Sequence, residues 1–384
     1  MVKEKVEIES GPCIRPLRIL HCIPGLQGGG AERQLSYLSA ELSKRGLDIH
    51  VAYHLRGSNL GMMEDSSVTL HKLRSRGNYD PLLLWRLVRT VWKVKPDLIQ
   101  TWLPQMDILG GLAALLTNTP FLMTERSVTS GYGRSWKAHL RLRIGAQAVL
   151  VVANSETGRQ YWISRKAPML VKVIRNGIPM EQINQSPPAS GEEIGIDRLK
   201  ELILFAGRYD NEKNVLTLLD AIRQVLSERP NGVALMCGQG PLKNKLIAIV
   251  KHFDLQGRVL IKGYTTQLWG WMKRANLFVS VSLFEGSPNV VLEAAALGCP
   301  IVLSAIPGHR ELLNEDSAFF VAPDSPSDIA RGITESLSDP EGAKRKAESA
   351  KARLSRFTID SATSQYLALY KAVLDGSELT SCLE

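Results

Sequence analysis

Residues 277–304 read LFVSVSLFEGSPNVVLEAAALGCPIVLS. The apolar run at 277–282 has the length and composition of a strand buried on both faces. A polar stretch broken by Gly286 and Pro288 follows, and 290–297 then reads as a helix rich in Ala and Leu. Gly298 and Pro300 end that helix, and 301–304 is a second short apolar run. Strand, loop, helix and strand in this order form a βαβ unit, whose two strands lie parallel because a helical crossover joins them.

The same alternation extends in both directions. Upstream, strands are expected at 17–22, 49–53, 97–101, 121–124, 148–153 and 172–174, with helices at 31–45 and 81–94. Residues 185–195, QSPPASGEEIG, carry no apolar period and read as a linker. Beyond it the pattern restarts, with strands at 202–206, 233–237 and 259–262 and a helix at 215–226. A last amphipathic helix is expected at 361–375. A chain of 384 residues is long enough for two cores. The fold class predicted is α/β, with two parallel sheets in tandem, each binding ligands beyond the carboxyl ends of its strands.

The bulk properties narrow the function. No apolar run reaches the roughly 18–20 residues of a membrane span. The opening MVKEKVEIES lacks the apolar core of a secretion signal, so a cytoplasmic protein is expected. Cys13, Cys22, Cys237, Cys299 and Cys382 are scattered, and neither they nor the seven histidines fall at metal-ligand spacing. The net charge of +9 is uneven: residues 1–185 hold 25 basic and 14 acidic side chains, a net +11, and residues 186–384 hold 22 and 24, a net −2. A basic first half points to an anionic partner there, or to charge kept for solubility.

Three segments carry chemistry. Gly28, Gly29 and Gly30 follow a strand and open a helix, where backbone N–H groups can meet an anion; a plain tight turn is the alternative. Arg208 and Lys213, in GRYDNEKN just past the strand at 202–206, suit a diphosphate; two solvated cations are the alternative. Glu285 and Glu293 stand eight positions apart in the segment quoted first. Between them Gly286, Ser287, Asn289 and Val290 lie at a helix start, an anion site, so the carboxylates would face hydroxyls. The alternative for Glu293 is a helix-start residue favoured by the dipole.

Together these segments resemble family 4 of the retaining glycosyltransferases, which have the GT-B fold. The resemblance runs over nearly the whole chain and takes in Gly238-Gln239-Gly240, Asn176-Gly177-Ile178 and Pro307-Gly308. It implies two Rossmann-like domains with parallel sheets facing an interdomain cleft: an acceptor-binding domain at 14–185, on which the helix at 361–375 packs back, and a donor-binding domain at 196–356. It implies a UDP-sugar donor, such as a UDP-N-acetylhexosamine or UDP-hexose, with no separate cofactor and no metal. Arg208 and Lys213 would neutralise the donor diphosphate, Glu293 would hold the ribose hydroxyls and Glu285 would contact the sugar. Gly29, Gly30, Gly238, Gly286, Ser287, Asn289 and Val290 would line the donor, with Tyr264 near the base.

One feature departs from the family. Many members place a histidine on the first domain near the transferred sugar; here the strand at 121–124 runs into Glu125-Arg126, so Glu125, Arg126 or Asp107 would take that place. The absence of Asp-x-Asp agrees with a metal-independent reaction. The helix expected at 133–144 sets Arg134, Lys137 and Arg141 on one side and Trp136, Leu140 and Ile144 on another, as in a helix lying on an anionic membrane or packing into its own core. The partners expected are therefore a nucleotide-sugar donor, a glycan acceptor linked to polyprenyl diphosphate, and the inner face of the cell membrane. Two rivals are a nucleotide-sugar epimerase on a related scaffold, which would isomerise donor without acceptor, and a nucleic-acid-binding protein. The latter leaves Glu285 and Glu293 without a role, and no recognition motif for nucleic acid is present.

Overall fold

The computed structural model describes residues 15–64, 66–78, 80–126, 135–165, 170–191, 196 and 201–376. Cys13, Cys382, Arg134 and residues 192–195 of the linker lie outside them. Within them the alternation closes into two all-parallel sheets. The first is built from β1 (Arg18–Cys22), β2 (Asp48–Tyr53), β3 (Thr69–Lys72), β4 (Leu98–Trp102), β5 (Phe121–Glu125), β6 (Leu150–Ala153) and β7 (Leu170–Val173), in the order β3-β2-β1-β4-β5-β6-β7. The second holds β8 (Glu201–Ala206), β9 (Gly232–Cys237), β10 (Val259–Lys262), β11 (Leu277–Ser280), β12 (Ile301–Ser304) and β13 (Phe319–Val321), in the order β10-β9-β8-β11-β12-β13. In each sheet the order reverses beside the first strand, and that is where a ligand crevice opens.

The central strands are buried almost throughout because helices cover both faces, with polar residues such as Gln100, Thr101 and Glu125 toward their carboxyl ends. On one face of the first sheet lie the helices Gly30–Lys44 and Ile359–Asp375; on the other lie Leu82–Val94, Leu103–Leu116 and Trp136–Gly145. The second sheet is covered by Val215–Glu228 and Pro326–Ser338 on one face, and by Leu268–Arg274, Asn289–Ala296 and Pro340–Leu354 on the other. Val215, Leu218, Leu219, Ile222, Val225 and Leu226 recur at the helical spacing that gives one buried stripe.

The last helix returns from the second sheet to the first. Thr358 caps its start, accepting from Ser361 N, and Gly376, at φ +64°, ends it in the left-handed region. Tyr366, Leu369 and Tyr370 enter the core of the first sheet. Arg126 donates to Tyr366 Oη (2.9 Å), Tyr370 donates to Gln100, and Arg45 donates to Ser364 (2.9 Å).

Candidate functional site

The carboxyl-terminal edges of the two sheets face each other, and loops from both meet between them. Asn176, after β7, donates to Ser287 O (3.1 Å) and to Asn289 Oδ1 (2.8 Å). Asn289 in turn donates to Gly30 O (3.1 Å). Gln34 donates to Gly177 O (2.9 Å) and to Asn289 Oδ1 (3.3 Å). Further along, the Glu311 carboxylate accepts from Glu156 N and Thr157 N (both 2.8 Å), so the start of the helix Glu156–Ile163 is already filled by an anion from the opposite unit. Gly30 and Asn289, both expected at the site, are thus brought together across the cleft.

On the second sheet the loop after β8 is folded tightly over its neighbours. Tyr209 is fully buried and donates to Met236 O (2.6 Å) and Lys262 O (2.8 Å), which ties this loop to the ends of β9 and β10. Gly238 is obligatory there, since a Cβ would collide with Gly207 O. Asp210 accepts from Lys213 N (3.0 Å), and Asn214, left-handed at φ 55°, donates to Val281 O and Pro323 O. These bonds aim Lys213 at the loop after β11. Its ammonium donates to Glu285 Oε1 (2.6 Å) and to Glu212 (3.2 Å). Burial alone would lower its pKa, but the Glu285 and Glu212 carboxylates raise it, so Lys213 stays charged. Arg208 is mostly exposed, its guanidinium held by Asp210 (3.1 Å) and Glu212 (3.0 Å).

Glu285 also accepts from Ser282 Oγ (2.8 Å), and Gly308 packs directly on its carbonyl. The next residue, His309, is fully buried. Its Nδ1 lies 3.0 Å from Ser304 O, which can only accept, so Nδ1 carries the proton and Nε2 presents a lone pair. Burial pushes the His309 pKa down and keeps the ring neutral. Three buried polar atoms in these loops lack a protein partner: His309 Nε2, Ser287 Oγ and Asn154 Oδ1, the last facing Gly286. The hydroxyls of a ligand in these loops would supply partners for these three atoms.

Glu293, one turn into the helix Asn289–Ala296, is fully engaged. Arg33, from the helix that the glycine-rich loop opens, donates to Oε1, and Trp269 Nε1 donates to Oε2 (2.9 Å). Its carboxyl is 3% exposed, and burial pushes its pKa up against the pull of Arg33 and Trp269. Tyr264 is exposed and lies close enough to Arg33 to add, after Glu293 and Tyr37, to what holds its guanidinium charged. Gly29 packs against Glu32, and Val290 is half-buried at the helix start.

The first sheet corrects two expectations. Glu125 does not face the cleft with a free carboxylate. It is fully buried at the end of β5, accepting from Arg141 (2.9 Å) and Trp162 Nε1 (2.9 Å). Asp107 is equally buried, accepting from Arg141 (2.7 Å) and Thr101 (2.7 Å), with its pKa pushed up to about 6 by burial. Two carboxylates taken out of water need a cation between them, and Arg141 supplies it. Arg141 therefore points inward, not along a solvent-facing basic side with Lys137, while Trp136, a candidate for the core, is 70% exposed. Arg126 donates to Asn176 (2.6 Å) and stacks over Trp102, 4.3 Å from the ring centroid, bracing the wall rather than opening onto it.

Sequence reasoning singled out Glu285, Lys213 and Glu293 but gave no role to Arg33, Trp269, Asn154, Gln34 or Glu311. Asn154 closes the polar end of β6 and Arg33 ends the Gly-Gly-Gly-Ala-Glu-Arg run, so position relative to a strand end was the signal available. Together the loops offer two cations, one of them paired with a carboxylate beside unpartnered polar atoms, and a buried carboxylate in the helix that follows. That set can take a phosphorylated, polyhydroxylated ligand.

Known proteins resemble this chain in sequence and in fold. Residues 28–182 match the family described as Glycosyltransferase Family 4, and residues 189–353 match Glycosyl transferases group 1. The chain is similar to the Campylobacter jejuni N-acetylgalactosamine-N,N'-diacetylbacillosaminyl-diphospho-undecaprenol 4-alpha-N-acetylgalactosaminyltransferase, 27% identical over 55% of this chain and 57% of that protein. It is similar to the Escherichia coli UDP-Gal:alpha-D-GlcNAc-diphosphoundecaprenol alpha-1,3-galactosyltransferase, 25% identical over 61% of this chain and 65% of that one. The match thus spans less than two thirds of the length of either relative. Anabaena HepE, solved with UDP-glucose, superposes with a TM-score of 0.82 at 21% identity, covering 92% of this chain and 99% of that one. That likeness shows the fold, two Rossmann-like domains in the GT-B arrangement.

Proposed function

We propose, from the premise that the chain belongs to glycosyltransferase family 4, that it transfers a glycosyl group with retention from a UDP-sugar to a glycan acceptor carried on polyprenyl diphosphate, in cell-surface polysaccharide assembly. The observation that carries this reading is the Lys213–Glu285 pair with the unpartnered Asn154 Oδ1, Ser287 Oγ and His309 Nε2 around it. A hexose bristles with hydroxyl donors, and a diphosphate brings the charge that Lys213 and Arg208 offset. The named C. jejuni and E. coli relatives act on undecaprenyl-diphosphate-linked sugars, which supports the same acceptor class here.

In this reading residues 196–356 bind donor and 14–185, with the returning helix, bind acceptor. Glu285 orients the sugar, and His309 Nε2 accepts from one of its hydroxyls. Lys213 and Arg208 balance the charge that grows on the leaving diphosphate, so catalysis rests on positioning and electrostatics, with no protein nucleophile. Glu293 accepts from the ribose diol. Arg33 and Trp269 each take one lone pair of a different Glu293 oxygen, so each oxygen keeps a second lone pair for a ribose hydroxyl. Glu125 has no place in this scheme, because its carboxylate is committed to Arg141 and Trp162.

If Arg208 and Lys213 turn from Asp210, Glu212 and Glu285 to the donor and offset its diphosphate, turnover should persist in EDTA. Initial rates with UDP-sugar and a polyprenyl-diphosphate-linked acceptor, with and without chelator, check this. Complete loss of rate in EDTA, restored by Mg²⁺ or Mn²⁺, would give the diphosphate to a metal instead.

A further inference from the structure

The three helices Leu82–Val94, Leu103–Leu116 and Trp136–Gly145 form one layer on the first sheet, and their outer side is unusual. Of the eleven large hydrophobic side chains exposed among the described residues, six stand on this layer: Leu82, Trp85, Trp92, Leu115, Leu116 and Trp136, between 44% and 70% exposed. Isolated exposed apolar residues need no explanation, but a concentration on one face does.

The first helix shows how it arises. Leu83, Leu87, Val91 and Val94 are buried against the sheet. Leu82, Trp85, Arg89 and Trp92, spaced three, four and three apart, make a second stripe on the opposite side, about 15 Å long at 1.5 Å per residue. That outer stripe has no partner among the described residues. Charge says what covers it. The only acidic residue in the three helices is Asp107, which is buried under Arg141, while Arg89, Lys93, Lys137 and Arg143 are exposed. Arg89 lies over the Trp85 ring at 4.7 Å and Lys137 over Trp136 at 5.8 Å. Tryptophan flanked by cations is the composition of a surface resting at lipid headgroups. No described helix is long and apolar enough to cross a membrane, so contact through this layer would be in the plane of the interface.

We propose that the outer stripe of Leu82–Val94, extended by the exposed ends of its two neighbours, docks on an anionic lipid bilayer. This rests on the reading of a lipid-linked acceptor and gives it a place. Leu103 follows Trp102 of β4 directly, so the helix layer begins at the carboxyl edge of the sheet, and docking sets the cleft beside the membrane. The docking face differs from that expected at Arg134, Lys137 and Arg141, since Arg141 is turned into the core.

Flotation of the full chain with phosphatidylcholine vesicles containing phosphatidylglycerol, and with phosphatidylcholine alone, tests this at low and high salt. The unaltered protein should float with the anionic vesicles at low salt and be released at high salt. Arg89→Glu with Lys93→Glu should lower its partition about tenfold or more. Trp85→Ala with Trp92→Ala should lower it at least fivefold. Phe253→Ala, an exposed aromatic on the other domain, should change nothing, and UDP affinity should be the same in all variants. Binding that survives both pairs, or that is equal on neutral vesicles, overturns the proposal. So does self-association that the same pairs abolish, which would give the face to a second copy. Neither result touches the acceptor reading, which is decided separately by turnover on a polyprenyl-diphosphate-linked sugar in detergent.

Discussion

Glu285→Gln should lower turnover about 10²- to 10³-fold while free UDP affinity stays within a few-fold of the parent protein. Glu285 sits between Lys213 and Ser282 and beside the unpartnered acceptors, where a sugar rather than a nucleoside would lie. An interaction made there strengthens as the diphosphate leaves, so its loss falls on the chemical step. Glu293→Gln should do the opposite. Its carboxylate is bonded by Arg33 and Trp269, and a charged hydrogen bond to ribose is worth roughly 1.5–3 kcal/mol, or about 10- to 150-fold in UDP affinity. Calorimetry with UDP and initial rates on both variants, with circular dichroism to verify folding, separate the two. If Glu285→Gln loses UDP and Glu293→Gln does not, the roles are exchanged; if neither changes, the pair is structural.

Arg141→Met should destabilise the protein by about 3–5 kcal/mol, the cost of leaving buried carboxylates without their cation. Arg141 is 1% exposed and bonds both Asp107 and Glu125, so its loss strands two negative groups at once. Replacing all three together, as Arg141→Met, Asp107→Leu and Glu125→Met, should recover part of the loss, because no charge is left to desolvate, while the Trp162 N–H and Thr101 hydroxyl lose the carboxylates that now accept from them. Urea unfolding midpoints measure both. Glu125→Gln should lose stability but keep its rate per folded molecule. A folded Glu125→Gln protein with turnover abolished would return Glu125 to the catalytic wall.

Much of this architecture is written in local pattern. Buried parallel strands such as Ile301–Ser304 are continuous apolar runs, and the loops after them hold the glycines and charges that mark a ligand edge. The edge strands are not legible in that way. Thr69–Lys72 is polar and largely exposed, and Phe319–Val321 has three residues, so neither stands out from a loop. Leu103–Leu116 hides for the opposite reason: its apolar residues have no strong side, because the helix is sandwiched and its outer surface is apolar too. Within the site, Lys213 and Glu285 were legible because each follows a strand end. The Arg33–Glu293 bond joins residues 260 apart, and only the folded cleft reveals it. Arg141 misled because helical spacing tells which residues share a side but not which side faces in. Its two carboxylates, on β5 and on the helix Leu103–Leu116, decide that it faces the core.

The central claim is that the cleft between the two sheets holds a nucleoside diphosphate with its phosphates at Arg208 and Lys213 and its ribose at Glu293. Calorimetric titration of the unaltered protein with UDP, UMP and uridine tests it most directly. UDP should bind at least tenfold more tightly than UMP, since only the diphosphate spans to both cations. Lys213→Ala should erase most of that difference and leave uridine binding in place. Equal affinity for UDP and UMP, or no binding of any nucleoside diphosphate at millimolar concentration, would contradict it.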